Sequence, residues 1–267
     1  MNRGSLESSL RGKIKRGQKI FCAFVTLGYK SLGETQSLIQ LLDKLGADVV
    51  ELGIPFSDPL ADGPIIQEAS EFSLKKGVQV GDALKLVKSL RKKGVMVPIV
   101  FFSYFNPILH RGISRMVKEL KESGFDGVLC PDLPPDEGEP LERELLRAGL
   151  CQVHLIAPTT TRERARKILA RSHGFVYYVS RRGVTGVQSK LDKELQSKVR
   201  EIKRMTRLPV LVGFGVSSSE QIKKINQVAD GIIMGSALIS AIKAHRQKNG
   251  SLERLIAGLI KICHGNV

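Results

Sequence analysis

Eight short apolar runs rich in β-branched residues recur along the chain, each followed by a stretch with helical periodicity. The runs lie at Lys19–Leu27, Asp48–Ile54, Val97–Phe102, Gly127–Pro131, Gln152–Ile156, Phe175–Val179, Pro209–Gly213 and Gly231–Met234. Helical stretches follow them at Leu32–Leu45, Ile65–Lys76 with Val80–Lys93, Ile113–Ser123, Glu137–Ala148, Arg162–Arg171, Asp192–Met205, Ser218–Val228 and Leu252–Cys263. The runs are apolar on both faces, as required of parallel strands covered by helices. A near-uniform strand–helix repeat without a linker-like break predicts closure into one (β/α)8 TIM barrel spanning 1–267. An open doubly wound sheet is the alternative built from the same units.

Charge and composition narrow the functional classes. No apolar run is long enough to cross a membrane. The first 18 residues are polar and basic with no secretory h-region, so a cytoplasmic location is expected. Cys22, Cys130, Cys151 and Cys263 form no C-x-x-C pair, and the histidines have no ligand spacing, so no metal site is expected. The net charge of +16 is spread over clusters at Arg11–Lys19, Lys85–Lys93, Arg162–Arg171 and Lys243–Lys248. Without Trp or interleaved stacking aromatics, this reads as a solvated basic surface with nonspecific polyanion affinity, not as a specific nucleic-acid site.

In a barrel, chemistry collects at the carboxyl ends of the strands. After strand seven comes Gly213-Phe214-Gly215-Val216-Ser217-Ser218; after strand eight, Gly235-Ser236-Ala237 opens a short extra helix, Ala237–Ala244. Amides at a glycine turn and a helix N-terminus favour an anion, and these two loops are the usual barrel phosphate site. Gly183-Val184-Thr185-Gly186, after strand six, is placed to close over the same phosphate. Glu51 sits near the end of an otherwise apolar strand with no basic neighbour in sequence. Desolvation would raise its pKa toward that of an acid–base group, and a salt bridge from elsewhere in the barrel is the competing reading. Asp62 precedes Gly-Pro and a helical run, so cap and catalytic roles stay equally open on spacing alone.

ELGIPFSDPLADGPIIQEA (Glu51–Ala69) closely resembles the signature of the tryptophan synthase alpha subunit. So do FVTLG (Phe24–Gly28), SYFNP (Ser103–Pro107), PDLP (Pro131–Pro134), SRRGVTG (Ser180–Gly186), GFGVSS and GSA, in the family's order along nearly the whole chain. The resemblance implies a lyase cleaving indole-3-glycerol phosphate to indole and glyceraldehyde 3-phosphate, with Glu51 as acid–base group and Asp62 as the second catalytic carboxylate. It further implies Tyr177 beside the carboxylates, with Thr185 among the substrate-binding positions. Phe24, Phe102, Leu129 and Ile233 match an apolar indole wall, and Gly186, Gly213, Phe214, Gly215, Gly235 and Ser236 match phosphate contacts. The implied partner is a beta subunit carrying pyridoxal phosphate in an alpha2-beta2 complex, and no cofactor is implied in this chain.

Four positions depart from the family's usual pattern: Tyr29 for a common Asp, Lys30 for Pro, Ile65 for Thr and Phe105 for Tyr. None touches Glu51, Asp62 or the phosphate glycines. A regulatory subunit with little catalysis of its own is the second reading, and a related indole-phosphate synthase or isomerase the third. The intact carboxylates and SRRGVTG loop favour a working lyase, and the ADGP loop argues against the third reading.

Overall fold

The computed structural model describes residues 3–180, 188–213, 215–216, 218–244 and 251–265. In chain order the elements are α1 (Arg3–Lys15), β1 (Ile20–Thr26), α2 (Leu32–Lys44), β2 (Val49–Gly53), α3 (Pro64–Lys75), α4 (Val80–Lys92), β3 (Ile99–Phe102), α5 (Phe105–Arg111), α6 (Ile113–Ser123) and β4 (Gly127–Leu129). They continue as α7 (Glu139–Ala148), β5 (Cys151–Ile156), α8 (Arg162–Arg171), β6 (Val176–Val179), α9 (Gln188–Met205), β7 (Val210–Gly213), α10 (Ser219–Asn226), β8 (Gly231–Met234), α11 (Ser236–Ala244) and α12 (Ser251–His264). Each strand pairs in parallel with the next, and β8 pairs with β1, so the sheet closes and the open-sheet alternative falls.

The period-two alternation of a strand sorts the apolar residues into two cores. Phe21, Ala23, Val50, Leu52, Phe101, Val128, Val176, Val212 and Ile232 face outward and pack under the helices. Cys22, Phe24, Val49, Val100, Phe102, Leu129, Val153, Leu211 and Ile233 face inward and fill the barrel. Both faces are buried, which is why the strands read as continuous apolar runs.

Two helices were not foreseen. The N-terminal stretch, expected to be merely polar and basic, forms α1, and its Leu6 and Leu10 are fully buried. Leu6, Leu10 and Ile14 repeat every fourth residue and join the inner core beside Ile20, Cys151 and Phe175. Helix α1 thereby closes the end of the barrel opposite the strand carboxyl ends. A stripe of three aliphatics among basic residues has low mean hydropathy, which hid it. Helix α5, seven residues long, fills the loop after β3, where no element was expected.

The same closed end carries a repeated device. Asp48, Asp126 and Asp230 precede or open β2, β4 and β8, each following Gly-Ala, Gly-Phe or Val-Ala. Each buried carboxylate accepts an amide from a neighbouring strand: Phe21 N at 2.7 Å, Ile99 N at 2.9 Å and Val210 N at 2.9 Å. Each also meets basic side chains: Lys13 and His264 on Asp48, Arg91 on Asp126 at 2.8 Å, and Lys203 on Asp230 at 2.6 Å. Part of the basic surface thus serves strand register. All four cysteines are buried thiols. Among the described residues, no helix is long and apolar enough to cross a membrane.

Candidate active site

Glu51 points into the barrel from the middle of β2, in register with Phe24 on one side and Val100 on the other. It is fully buried, and among the described residues neither carboxylate oxygen has a hydrogen-bond partner and no cation pairs with it. Among the described residues, nothing forms the salt bridge of the competing reading. Burial alone pushes the carboxyl up to about 8, so it is mainly protonated at neutral pH. Its neighbours respond to it. The Cys22 thiol is held well above its ordinary value, by burial first and then by the Glu51 charge. The Tyr177 phenol is raised by burial, then by Glu51, Cys22 and Asp62, which places this ring beside both carboxylates.

Asp62 ends the loop that starts at β2. Helix α3 is capped by Gly63, without a side-chain cap bond, and has Pro at its first turn, so Asp62 is not the cap. Its carboxylate instead accepts from the Tyr104 hydroxyl at 3.3 Å. Tyr104 in turn accepts the Ala61 amide at 2.9 Å and stacks on Phe56 at 5.0 Å. Gln67 Nε2 donates to the Asp62 carbonyl at 2.9 Å, which ties the loop end to α3. Burial raises the Asp62 carboxyl to about 6, with the Tyr104 hydrogen bond pulling the other way. Tyr104 is the residue that sequence reasoning missed. Its one signal was its place in SYFNP, directly after β3.

The predicted apolar wall is brought together. Phe24 and Phe102 meet edge to face at 5.2 Å, and Leu129 and Ile233 are buried in the same inner core. Phe24 lies so close over β2 that a Cβ on Gly53 would come within 2.3 Å of its ring. Tyr177 covers β7 in the same way, 2.5 Å from where a Cβ of Gly213 would stand. Two glycines thus leave room for two rings to approach the strand ends. Tyr29, one of the departures, is buried and packs edge to face on Phe72 at 5.8 Å, with Lys30 Nζ 4.6 Å above its ring centre. Ile65 joins the same inner cluster.

At the mouth, β7 ends at Gly213, whose carbonyl accepts from Ser180 N at 3.0 Å and Ser180 Oγ at 2.9 Å. Gly215 adopts φ 84°, a left-handed conformation suited to glycine. Gly235 follows β8, and its carbonyl accepts the Ile239 amide at 3.0 Å, so Ser236 opens α11 as its first residue. The first-turn amides of such a helix have no intrahelical acceptor and face an anion favourably. Helix α11 starts one residue earlier than expected. Thr185, Gly186 and Phe214 lie outside the described residues.

A closed barrel with a buried carboxylate in its interior and a helix N-terminus at its mouth defines the class: a β/α-barrel protein with a candidate acid–base site at the carboxyl ends of its strands. Residues 11–261 match the family model described as tryptophan synthase alpha chain. The chain is 40% identical over 262 residues to the tryptophan synthase alpha chain of Geotalea daltonii, covering 96% of this chain and 99% of that one. It is 43% identical over 224 residues to that of Geobacillus kaustophilus, covering 84% and 83%. The crystal structure of tryptophan synthase subunit alpha from Legionella pneumophila superposes with a TM-score of 0.88 at 33% identity over the full length of both chains. The chain belongs to the tryptophan synthase alpha chain family. Its reaction is that of a carbon–carbon lyase in tryptophan biosynthesis, the cleavage of indole-3-glycerol phosphate to indole and glyceraldehyde 3-phosphate.

Proposed function

We propose that Glu51 carries both proton transfers of this cleavage and that Asp62 acts as a fixed negative charge. The observation that supports this most is the separation of the two carboxyls, one raised to about 8 and the other only to about 6. Two titrating groups pushed apart by their surroundings are the mark of an acid and an anion working together. Near neutral pH Glu51 starts protonated and gives its proton to indole C3, making a cationic indolenine-type ring. The resulting carboxylate then takes the proton of the glyceryl hydroxyl next to the C–C bond. That bond breaks as the carbonyl of glyceraldehyde 3-phosphate forms, and its electron pair restores the neutral indole. Glu51 ends protonated, ready for the next turn. Asp62, anionic above about 6, holds the indole N–H and stabilises the ring while it is positive.

Phe24, Phe102, Leu129 and Ile233 enclose the ring, Tyr177 packs beside the carboxylates, and the amides around Gly213, Gly215, Gly235 and Ser236 hold the phosphate. Every proton in this scheme has a donor and an acceptor among these groups, so the chain needs no cofactor of its own. The partner is a pyridoxal-phosphate beta subunit in an alpha2-beta2 complex in the cytoplasm. Leu60 supports a docking role for the loop between Glu51 and Asp62. It is 91% exposed there, an apolar tip on a segment tied at both ends to the proposed carboxylates.

The test is indole release from indole-3-glycerol phosphate across pH 5 to 9, with and without a beta subunit. For the isolated chain, kcat/KM should be bell-shaped, rising near 6 as Asp62 ionises and falling near 8 as Glu51 loses its proton. A rate that keeps climbing through the upper limb would remove Glu51 as the initial acid. A rate unchanged by the beta subunit would remove the coupling.

A further inference from the structure

A cleft of about 450 Å³ lies between helices α8 and α9, lined by Arg162, Arg166, Glu201, Arg204 and Met205. Its place in the fold keeps it apart from the barrel interior. Ala165, Ile168 and Leu169 of α8 and Val199 and Ile202 of α9 are buried in the outer core, and Met205 packs against that core. The strand layer therefore separates the cleft from the inward-facing apolar residues, and no lining residue belongs to the inner core.

The arginines that line the cleft differ from their neighbours. Helix α8 carries five basic residues. Arg164 pairs with Asp136 at 2.5 Å, Lys167 with Glu163 at 3.4 Å and Arg171 with Glu142 at 3.5 Å. The two others, Arg162 and Arg166, are the two in the cleft, and their guanidinium groups pair with nothing among the described residues. Arg204 of α9 is in the same state, whereas Lys203 beside it pairs with Asp230 at 2.6 Å. Glu201 is the single carboxylate of the lining, and Lys198 already holds it at 3.1 Å.

Arg162 and Arg166 stand four residues apart on one face of α8, where like charges repel. Arg204 brings a third positive charge to them from the facing helix. A solvated basic surface spreads its cations, but here three converge on one concave surface. An anion relieves that repulsion, and a multiply charged one relieves it most. Each guanidinium offers donors in a planar fork that meets a phosphate on two oxygens. Two bridged phosphate groups can give a separate oxygen pair to each of three forks, which one phosphate cannot. The volume is that of a small-molecule site, and Met205 is the one apolar side chain in the lining, so no pair of apolar walls is present to hold a ring.

We propose that the cleft between α8 and α9 is a second anion site, for a compact small molecule carrying two bridged phosphate groups. The assignment does not depend on the roles of Glu51 and Asp62, nor on the phosphate placement at Gly213 and Gly235.

The test is calorimetric titration of the full chain with inorganic pyrophosphate, after the barrel has been saturated with a non-cleavable indole-3-alkyl phosphate. Saturable binding of one equivalent is expected. Arg162→Gln, Arg166→Gln and Arg204→Gln change exposed side chains and should each weaken it by at least about tenfold, with the affinity for the indole phosphate unchanged. Arg166→Lys keeps the charge and loses the fork, so it should also bind more weakly than wild type. Lys93→Gln, at an exposed position in a different basic cluster, should change nothing. Inorganic phosphate should bind at least about tenfold more weakly than pyrophosphate. Full affinity in Arg166→Lys, or an equal loss in Lys93→Gln, would overturn the proposal, since binding would then follow surface charge alone. Equal affinity for phosphate and pyrophosphate would overturn it too, as would the absence of saturable binding once the barrel is filled.

Discussion

The Tyr104 hydroxyl and the Asp62 carboxylate meet at 3.3 Å across 42 residues of sequence, and the same hydroxyl holds the Ala61 amide at 2.9 Å. This contact anchors the end of the loop after β2 to the loop after β3 and partly offsets the burial that raises the Asp62 pKa. Tyr104→Phe removes the interaction that lowers the Asp62 pKa and leaves the burial that raises it. The carboxyl should then titrate above about 6, so the acidic limb of the rate profile moves to higher pH. Activity should fall most at the acidic end and recover toward the wild-type rate at higher pH. A uniform loss across the profile would mean that Tyr104 matters for packing only.

Glu51→Gln keeps the shape and removes the transferable proton, so kcat should fall by roughly 10²–10⁴. The same variant should gain stability at high pH. A carboxyl whose folded pKa is raised from 4.5 to about 8 imposes a cost that grows as pH climbs through that window and is constant above it. The melting-temperature advantage of Gln over Glu should widen between those values and then level off. A difference independent of pH would contradict the raised pKa.

Asp62→Asn should lose most activity with little change in melting temperature, because Gly63 is the helix cap and no cap bond is removed. Thermal unfolding and indole release on one preparation decide this. A clear drop in melting temperature with activity retained would return Asp62 to a structural role.

Gly213→Ala puts a Cβ 2.5 Å from the Tyr177 hydroxyl, so the ring must shift and KM for the phosphate ester should rise. Gly213→Asp adds a negative charge to the same displacement and should weaken binding further. Calorimetry with glycerol phosphate separates the two effects. Equal binding by both variants would move the phosphate away from β7.

Asp126→Ala should cost about 3–5 kcal/mol, since it breaks a largely buried ion pair, leaves Arg91 with carbonyl acceptors alone and leaves the Ile99 amide unpaired. Removing Asp136 from its exposed pair with Arg164 should cost at most about 1 kcal/mol. Denaturant unfolding measures both. Comparable values would mean that the clamps at the closed end of the barrel do not set its stability.

Much of this molecule was legible without coordinates. The eight strands fell within a residue or two of their expected ends, and β8, α6 and α8 matched at both ends. Strand and helix periods are local, so neighbours two, three or four residues apart carry them. Glu51 was legible for a related reason: a lone carboxylate in an apolar strand can only face a desolvated interior. Its raised pKa follows from that placement.

Other features depend on residues far apart in sequence. Cap and catalytic readings of Asp62 were equal on spacing, and only the structure, with Gly63 at the cap and Tyr104 approaching from the next loop, removed the cap reading. Helix α1 shows three aliphatics in sequence, but only the open end of a barrel makes burying them favourable. The three aspartate clamps follow the same rule. The order of strands, the barrel and the identity of the buried acid were thus set by the sequence itself. How strongly each acid holds its proton was decided by the tertiary structure, because desolvation and hydrogen bonding depend on groups that meet only after the barrel has closed.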